Sequence, residues 1–161
     1  MSSSAVLRPL SPADADQCDV VIASLPYHFG DENGQAACAR AVRTSPGWVA
    51  EADGLVVGFL TVRPWYEQAL EITWMAVHAD HRRHGIGRAL IGELTKQAPA
   101  GIRFLVVTTL SEASAEAVED SYEGTRRFYR QNGFLPIWDP VGWWNEENQA
   151  VVMLRDLGPG G

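Results

Sequence analysis

Residues 78–90, with the sequence HADHRRHGIGRAL, contain three of the four histidines of the chain, two adjacent arginines and a Gly-x-Gly turn. The chain as a whole is acidic, with a net charge of −7. A basic segment of this kind has three interpretations: a metal site, a solvated run of charges, or a cradle for a ligand that carries phosphate. The neighbouring residues distinguish among them.

A metal site is the least favoured interpretation. His78, His81 and His84 are spaced by three residues and would share one face of a helix. The segment follows a predicted strand, however, and Gly85 and Gly87 disfavour a helix across it. No acidic or cysteine partner completes the spacing of a typical metal site. We therefore predict that no metal binds here.

An anion cradle explains the segment better than solvated charges do. The glycines lie between a predicted strand and a strongly periodic helix over residues 86–97, whose first turn has unpaired N–H groups. A helix N-terminus carries about half a positive charge, so Arg82 and Arg83 are unfavourable there unless an anion binds between them. Solvated loop arginines remain the alternative.

Two common phosphate-binding motifs do not fit. Gly85-Ile86-Gly87 is followed by Arg-Ala-Leu, so the third glycine of a dinucleotide-binding fingerprint is missing, and the motif lies at mid-chain. A P-loop requires Gly-Lys-Ser/Thr, and the one lysine of the chain is Lys96.

The elements that position this segment follow from periodicity and turn residues. We predict strands over residues 5–10, 48–51, 55–62, 70–77, 104–108, 134–138 and 150–154, and helices over residues 11–25, 31–43, 86–97 and 121–132. Asp53-Gly54 predicts a hairpin turn. Strands mixed with helices indicate an α/β or α+β sheet, in one domain over residues 1–161 with poorly ordered tails at 1–4 and 158–161.

Composition excludes several classes of protein. A hydrophobic fraction of 46% and a charged fraction of 20% are typical of globular domains. The acidic balance disfavours a nucleic-acid partner. Neither a signal peptide nor an apolar run of about 18 residues is recognisable, so we expect a cytoplasmic protein without a membrane partner. Cys18 and Cys38 are isolated and are predicted to be core residues.

Two segments resemble one known family. Residues 82–87, RRHGIG, resemble the R/Q-x-x-G-x-G/A signature of the GNAT superfamily of acyl-CoA N-acyltransferases. Residues 125–134, TRRFYRQNGF, are similar to the late helix of that family, which presents a tyrosine to the coenzyme sulfur. The C-terminal half further resembles a bacterial subgroup with unassigned substrates. The resemblance covers residues 5–157 and implies the GNAT fold, a mostly antiparallel central sheet of six to seven strands with helices on both faces.

The resemblance implies acetyl-CoA as co-substrate and no metal. It assigns the coenzyme pyrophosphate to the loop of Arg82, Arg83, His84, Gly85, Ile86, Gly87 and Arg88, and the pantetheine arm to the backbone of Met75, Ala76 and Val77. An N–H near Val77 would face the developing oxyanion. Many members carry an asparagine between the fifth strand and the late helix. Residues 111–123 contain none, so part of the pantetheine contact is unassigned.

Glu71 is the candidate general base within this family assignment, acting through a bridging water. It is a charged residue in an otherwise apolar strand, where a carboxylate requires a reason. Two alternatives are that strand alternation turns it to solvent, or that it pairs with an arginine such as Arg63. Glu67 is the reserve candidate.

Tyr129 is the candidate general acid, which would protonate the departing thiolate. It belongs to the Phe-Tyr pair of the family-like helix, and Tyr122 lies seven residues earlier on the same face. The alternative is that Tyr129 only packs. Arg126, Arg127 and Arg130 lie on other faces and are predicted to be solvated, with contact of one of them to a coenzyme phosphate as the alternative.

The acceptor site is predicted in loops over residues 26–31, 63–67 and 139–145. These loops offer aromatic side chains beside carboxylates, and the candidate substrate-binding residues are Tyr27, Trp65, Glu67 and Trp143. Aromatic walls with carboxylates suit a cationic amine that also has apolar surface. A core cluster or a homodimer interface is the alternative.

The resulting functional hypothesis is an N-acetyltransferase that transfers the acetyl group of acetyl-CoA to a primary amine of a small molecule or peptide, by direct attack in a ternary complex. The competing hypothesis is a non-catalytic acyl-CoA sensor or partner-binding module of the same fold. Glu71 and Tyr129 together favour the enzyme, because binding alone requires neither.

Overall fold

The structure, a computed structural model, describes residues 4–25, 32–112, 122–144 and 149–159. These residues form seven β-strands and four α-helices in a mixed α/β arrangement. The strands are β1 Val6–Pro9, β2 Gly47–Ala52, β3 Leu55–Tyr66, β4 Ala69–Val77, β5 Phe104–Leu110, β6 Leu135–Trp138 and β7 Ala150–Asp156. The helices are α1 Ala15–Ala23, α2 Glu32–Thr44, α3 Ile86–Gln97 and α4 Glu123–Gln131.

The strands form a seven-stranded sheet in the order β1-β2-β3-β4-β5-β7-β6. β4 and β5 pair in parallel, whereas the β1–β2, β2–β3, β5–β7 and β6–β7 ladders are antiparallel. β3 and β4 are joined by a two-residue turn, a connection that antiparallel strands allow and parallel strands do not. The predicted mixed, mostly antiparallel sheet is thereby confirmed.

The hairpin of β3 and β4 is longer than predicted. β3 continues to Tyr66, and Glu67 and Gln68 alone form the turn, so the predicted loop over residues 63–67 is wrong. Pro64 reads as a strand terminator, but the aromatic residues that follow it favour an extended chain. The predicted turn at Asp53-Gly54 is confirmed, with φ of 52° and 79° at the two positions.

By internal packing the chain divides into two units, and the first comprises Met1–Arg63 and Ile72–Ala98. Its core contains buried apolar residues from α1, α2, β2 and β3, including Val21, Val49 and Phe59. Cys18 and Cys38 belong to this core and are fully buried. Burial raises the pKa of each thiol to about 12, which confirms that both are core residues.

The second unit comprises Pro64–Glu71 and Pro99–Gly161. Here β5 is the central strand, flanked by the first three residues of β4 in parallel register and by β7 along its whole length. A small apolar cluster of Ala69, Val106 and Val152 fixes these three strands against one another. The single domain expected over residues 1–161 stays a prediction, and the residues of its tails at 1–3 and 160–161 lie outside the described residues.

The entry to α1 is held by a partly buried ion pair. Ser11 caps a short 3-10 turn that leads into α1, and Asp14 completes a capping box with it. Arg8 donates two hydrogen bonds, of 2.9 and 2.8 Å, to the carboxylate of Asp14. These hydrogen bonds are the main reason why the pKa of Asp14 lies below its usual range, and burial acts in the opposite direction. The predicted helix start at Ser11-Pro12 is confirmed as this 3-10 turn.

No helix in the ranges 4–25, 32–112, 122–144 and 149–159 is long and apolar enough to cross a membrane.

The Asp14–Arg8 pair predicts a pH-dependent contribution to stability. We expect Asp14→Asn to lower the free energy of unfolding at pH 7 by about 2 kcal/mol, since hydrogen bonds to charged groups are worth about 1.5–3 kcal/mol. Because the folded-state pKa is lowered, this stabilisation is present above the unfolded-state pKa of about 4 and is lost as the pH falls through the folded-state value.

Urea unfolding of the wild type and Asp14→Asn from pH 7 downwards measures this difference. The control is Asp16→Asn, whose side chain is fully exposed. A difference between wild type and Asp14→Asn that stays constant below pH 4 would contradict the assignment.

Candidate active site

The N-terminus of α3 exposes unpaired backbone amides. Gly85 is the N-cap residue, with a left-handed φ of 78° and no side-chain cap. The first helical hydrogen bond runs from Ala89 N to Gly85 O at 2.9 Å. Within the described residues, the N–H groups of Ile86, Gly87 and Arg88 have no acceptor. The first turn carries no acidic residue, so this end of the helix is suited to an anion.

The loop before α3 adds positive charge to these amides. Arg82, Arg83, His84 and Arg88 are all exposed. Arg83 has a φ of 66°, an unusual conformation for a residue other than glycine. Gly85 also has a positive φ, but a Cβ at this position would contact nothing within 4 Å. Glycine is required there for its backbone conformation and not for space.

Gly58 brings the start of α3 and the end of β4 together. A Cβ at this position of β3 would lie 3.1 Å from Ile86 Cγ2, 3.2 Å from Ala76 O and 3.4 Å from Leu90 Cδ1. Both the helix and β4 therefore approach β3 at a point where no other residue fits without displacement. Ala76 and Ile86, predicted from separate segments to contact the coenzyme, are neighbours for this reason. The feature of the sequence that could have predicted this contact is Gly58 itself, a glycine inside the apolar strand VVGFL.

The C-terminal part of β4 is an edge of the first unit. The ladder to β5 comprises Ala69, Leu70 and Glu71, and Ile72–Val77 lies beyond it. Ala76 is buried, while Met75 and Val77 are half-buried. Strand edges of this kind offer N–H and C=O groups to an extended ligand chain.

Glu71 is buried in the second unit. Its residue exposure is 7%, and it lies opposite Val106 of β5 in the parallel ladder. The alternative that strand alternation turns this carboxylate to solvent is wrong, because the residue is buried. Glu67, the reserve candidate, lies exposed in the hairpin turn.

Tyr129 is a buried phenol on α4. Its residue exposure is 8%, and its ring packs edge-on against Phe128 and Phe134 with centroids 5.4 Å away in each case. Burial raises the pKa of the phenol above its ordinary value. No hydrogen bond of the described residues engages the hydroxyl, although buried hydroxyl groups usually have a partner.

The arginines of α4 differ from one another. Arg127 is exposed and pairs with Glu123 at 3.2 Å, and Arg130 contacts Glu112 at 3.2 Å, as expected of surface residues. Arg126, predicted to be solvated, is 3% exposed. The periodicity of the sequence does not predict this burial, because an arginine counts as a polar residue in the pattern whichever face of the helix it lies on. The one signal was its spacing of three residues from Tyr129.

The candidate acceptor residues lie on exposed parts of the second unit. Trp65 is 38% exposed near the tip of the β3–β4 hairpin, beside the turn residue Glu67. Trp143 is 46% exposed and packs edge-on against Trp138, with ring centroids 4.8 Å apart. Tyr27, with the whole predicted loop over residues 26–31, lies outside the described residues.

The histidines of the loop are engaged locally. His78 Nδ1 accepts a hydrogen bond from Asp80 N at 3.2 Å, and His84 Nδ1 lies 3.3 Å from His81 O. The described ranges contain no group of three or more His, Cys, Asp or Glu side chains arranged to hold a metal ion.

The two units divide the predicted site residues between them. The first unit contains Met75, Ala76, Val77, Arg82, Arg83, His84, Gly85, Ile86, Gly87 and Arg88. The second contains Trp65, Glu67, Glu71, Tyr129 and Trp143. Within the second unit, β5 contacts both candidate catalytic elements: Glu71 lies beside Val106, and Arg126 of α4 binds the carbonyl of Leu110.

Residues 43–136, more than half of the chain, match the family model described as an acetyltransferase (GNAT) domain. No curated protein matches the chain in sequence.

Solved structures match the chain over almost its whole length. A GNAT-family acetyltransferase from Desulfovibrio desulfuricans has a TM-score of 0.80 at 19% identity, covering 96% of this chain and 100% of its own. The yncA protein of Salmonella typhimurium, solved with its cofactor acetyl-CoA, has a TM-score of 0.69 at 21% identity, covering 99% and 97%. An aminoglycoside 6'-N-acetyltransferase complexed with coenzyme A has a TM-score of 0.73 at 16% identity, covering 97% and 99%. At these identities the likeness shows the fold.

The buried phenol predicts an abnormal tyrosine titration. Because the pKa of Tyr129 is raised, its proton is retained at pH values at which exposed tyrosines, with a pKa of about 10, have already ionised. Ultraviolet absorbance titrations of the wild type and Tyr129→Phe measure this. We expect the difference between the two curves to have its midpoint above that of the exposed tyrosines. A difference curve centred at the ordinary value would contradict the burial of the phenol.

Proposed function

The chain belongs to the GNAT acetyltransferase family, and on that premise we propose that it is an N-acetyltransferase that transfers the acetyl group of acetyl-CoA to a primary amine of a small molecule or peptide. The observation that carries the proposal is the contact at Gly58, where Ile86 of the α3 N-terminus and the backbone of Ala76 in β4 both approach β3; the amides of the first turn of α3 have no acceptor among the described residues. An anion-binding helix end next to a strand edge fits a ligand that has a pyrophosphate and an extended amide chain.

The donor is held by backbone groups. The amides of Ile86, Gly87 and Arg88 bind the pyrophosphate, since they have no acceptor among the described residues and no acidic side chain competes for them. Met75–Val77 pairs with the pantetheine arm as a neighbouring strand would. Bound acetyl-CoA supplies a thioester carbonyl that is activated toward amines. An N–H near Val77 stabilises the charge that develops on its oxygen, which is worth about 3 kcal/mol for one well-placed donor.

Glu71 acts as the general base, through a water molecule. Its residue exposure of 7% separates this carboxylate from the solvated surface, and a carboxylate held in a partly dry site is suited to general base catalysis. It accepts a proton from the ammonium group of the substrate, because only the neutral amine has the lone pair that attacks, and the second proton of that nitrogen is released to water once the carbon–nitrogen bond has formed. The nitrogen then forms its bond to the carbonyl carbon as the carbon–sulfur bond breaks, in a ternary complex without a covalent enzyme adduct.

Tyr129 acts as the general acid and donates its phenolic proton to the departing sulfur. A phenol is protonated throughout the neutral range at its ordinary pKa of about 10, and burial shifts the pKa of Tyr129 further upward, so the proton is present in every cycle. The proton that Glu71 removes from the amine restores the protonated state by way of water. Chemistry of this kind distinguishes an enzyme from an acyl-CoA sensor, which requires neither group.

The acceptor is a cationic amine with apolar surface. Trp65 and Trp143 provide exposed aromatic faces, and Glu67 provides a carboxylate at the tip of the β3–β4 hairpin. Aromatic faces and carboxylates both attract ammonium groups. The cytoplasmic location, the absence of a metal and the homodimer stay predictions.

A thiol-release assay tests the proposed reaction. The purified protein is incubated with acetyl-CoA and a panel of primary amines that includes polyamines, amino acids, aminoglycosides and peptides with free N-termini. We expect cationic amines that carry apolar surface to give amine-dependent thiol release and an acetylated product by mass spectrometry. Tight acetyl-CoA binding without turnover of any amine would favour the sensor instead.

The pyrophosphate assignment predicts the effect of a charge at the α3 N-terminus. We expect Gly87→Asp to abolish acetyl-CoA binding in calorimetry, because a carboxylate there repels the phosphates and competes for the same amides. Gly92→Asp is the matched control, since Gly92 lies on the same helix, is exposed, and a Cβ there would contact nothing within 4 Å. Undiminished affinity of a folded Gly87→Asp protein would rule out this phosphate site.

The acid assignment predicts a selective loss of rate in Tyr129→Phe. The ring and its packing are retained, so we expect a change in stability of about 1 kcal/mol or less and unchanged acetyl-CoA affinity. The chemical step should slow by a factor of roughly 100 or more, the scale of general acid catalysis. Single-turnover kinetics measure it, with Tyr122→Phe as the control. Full turnover by Tyr129→Phe would show that the tyrosine only packs.

A further inference from the structure

Helix α4 buries a charged residue one turn before the candidate acid. Its two buried residues are Arg126, which is 3% exposed, and Tyr129, which is 8% exposed. Residues three apart lie on the same face of a helix. The face that carries the catalytic phenol therefore also carries a buried guanidinium, which the proposed chemistry does not use.

The guanidinium fastens α4 to the end of β5. Arg126 Nη1 donates a buried hydrogen bond of 3.0 Å to the carbonyl of Leu110, the last residue of the strand. Two residues further on, the carboxylate of Glu112 lies 3.9 Å from Arg126 Nε and 3.2 Å from Arg130 Nη1. The end of β5 is thus tied to α4 by arginines that precede and follow Tyr129 along the helix.

Stability alone does not explain an arginine at this position. Burying a guanidinium costs several kcal/mol even when it is paired, and an apolar residue of similar volume is often equally stable or more stable. A methionine would fill the space without that cost. Methionine cannot form the hydrogen bond to the carbonyl of Leu110. Such a bond restricts the distance and the angle between the helix and the strand.

The helix needs such a fixed point. α4 has nine residues, and helices shorter than about 12 residues are marginal on their own in water. Tyr129 itself is held by ring packing against Phe128 and Phe134, which is attractive but tolerates sliding. The place of the hydroxyl therefore depends on where the helix is anchored.

We propose that Arg126 is a positioning residue for the acetyl transfer, which sets the place of the Tyr129 hydroxyl by anchoring α4 to Leu110 and Glu112. The inference rests on the proposed role of Tyr129 as the general acid. Proton transfer requires the phenol within hydrogen-bond reach of the sulfur, and a misplacement of about 1 Å can cost a factor of about 100 in rate. Arg126 itself touches no reacting atom.

Kinetics of Arg126→Met test the proposal, with the amine of fastest turnover in the panel. We expect kcat to fall by a factor of about 10 or more, whereas KM for acetyl-CoA and for the amine stay within about twofold of the wild type. Arg127→Met is the matched control, because Arg127 is exposed on the same helix and pairs with Glu123 alone among the described residues. We expect it to leave kcat unchanged.

A double-mutant cycle separates positioning from general damage to the helix. If Arg126 acts through Tyr129, adding Arg126→Met to Tyr129→Phe should cause no further loss of rate. Equal losses in both backgrounds would overturn the positioning role while leaving Tyr129 as the acid. Full activity of Tyr129→Phe alone would instead remove the acid role. The two failures are therefore distinguishable.

A second variant and a spectroscopic measurement test the proposal if Arg126→Met folds poorly or if no amine of the panel is acetylated. Arg126→Lys keeps the charge but replaces the planar guanidinium, whose Nη1 binds the carbonyl of Leu110, with a flexible ammonium group, so we expect a smaller loss of kcat than in Arg126→Met, and full kcat would overturn the proposal. With 3-fluorotyrosine in the four tyrosine positions, the ¹⁹F resonance of Tyr129 is assigned by its loss in Tyr129→Phe. It should shift or broaden in Arg126→Met and Arg126→Lys but not in Arg127→Met. An unchanged resonance would contradict the anchor without any assay of activity.

Discussion

The close approach of α3 and β4 to β3 at Gly58 is the constraint on which the coenzyme assignment depends. Any side chain at this position would press against the first residue of the helix and against the backbone of Ala76. Because the position is a glycine, the end of β4 and the first turn of α3 share one small region of the first unit. The left-handed Gly85 then lets the chain turn into the helix without a side-chain cap. Two glycines that carry no chemistry thus determine where the unpaired amides lie.

The short parallel ladder between β4 and β5 gives two parts of one strand different environments. Ala69–Glu71 pairs with β5, and Glu71 is buried there. Beyond Glu71 the strand is an edge in its own unit, and its backbone groups are suited to pairing with an extended ligand. β4 therefore carries a buried acidic side chain, Glu71, and its following residues form a strand edge within the first unit.

Buried polar groups have two different physical roles in this protein. The Arg8–Asp14 pair closes the start of α1 with several hydrogen bonds, and its partners are satisfied locally. Tyr129 is a buried residue whose hydroxyl is engaged by no described residue. Arg126 differs from both, because its Nη1 is bonded to the carbonyl of Leu110 while the burial of its charge costs free energy. Tyr129 and Arg126 are the two groups that we propose for the reaction, as the acid and as its positioning residue.

Local sequence determined most elements of this fold. The apolar period of 3.6 residues predicted α3 correctly at Ile86–Gln97, and Asp53-Gly54 predicted the turn between β2 and β3. Both signals depend only on neighbours within one helical turn or one strand. The roles of residues 82–88 and of the tyrosine helix were instead predicted from their resemblance to the GNAT family. What the tertiary structure decided were distances between remote segments: the contact of Gly58 with Ile86, the end of the ladder at Glu71, and the burial of Arg126 against Leu110. Each of these features depends on which strands pair and on how many residues each ladder includes. The sequence alone does not distinguish a charged residue that lies in solvent from one that packs against the end of a strand.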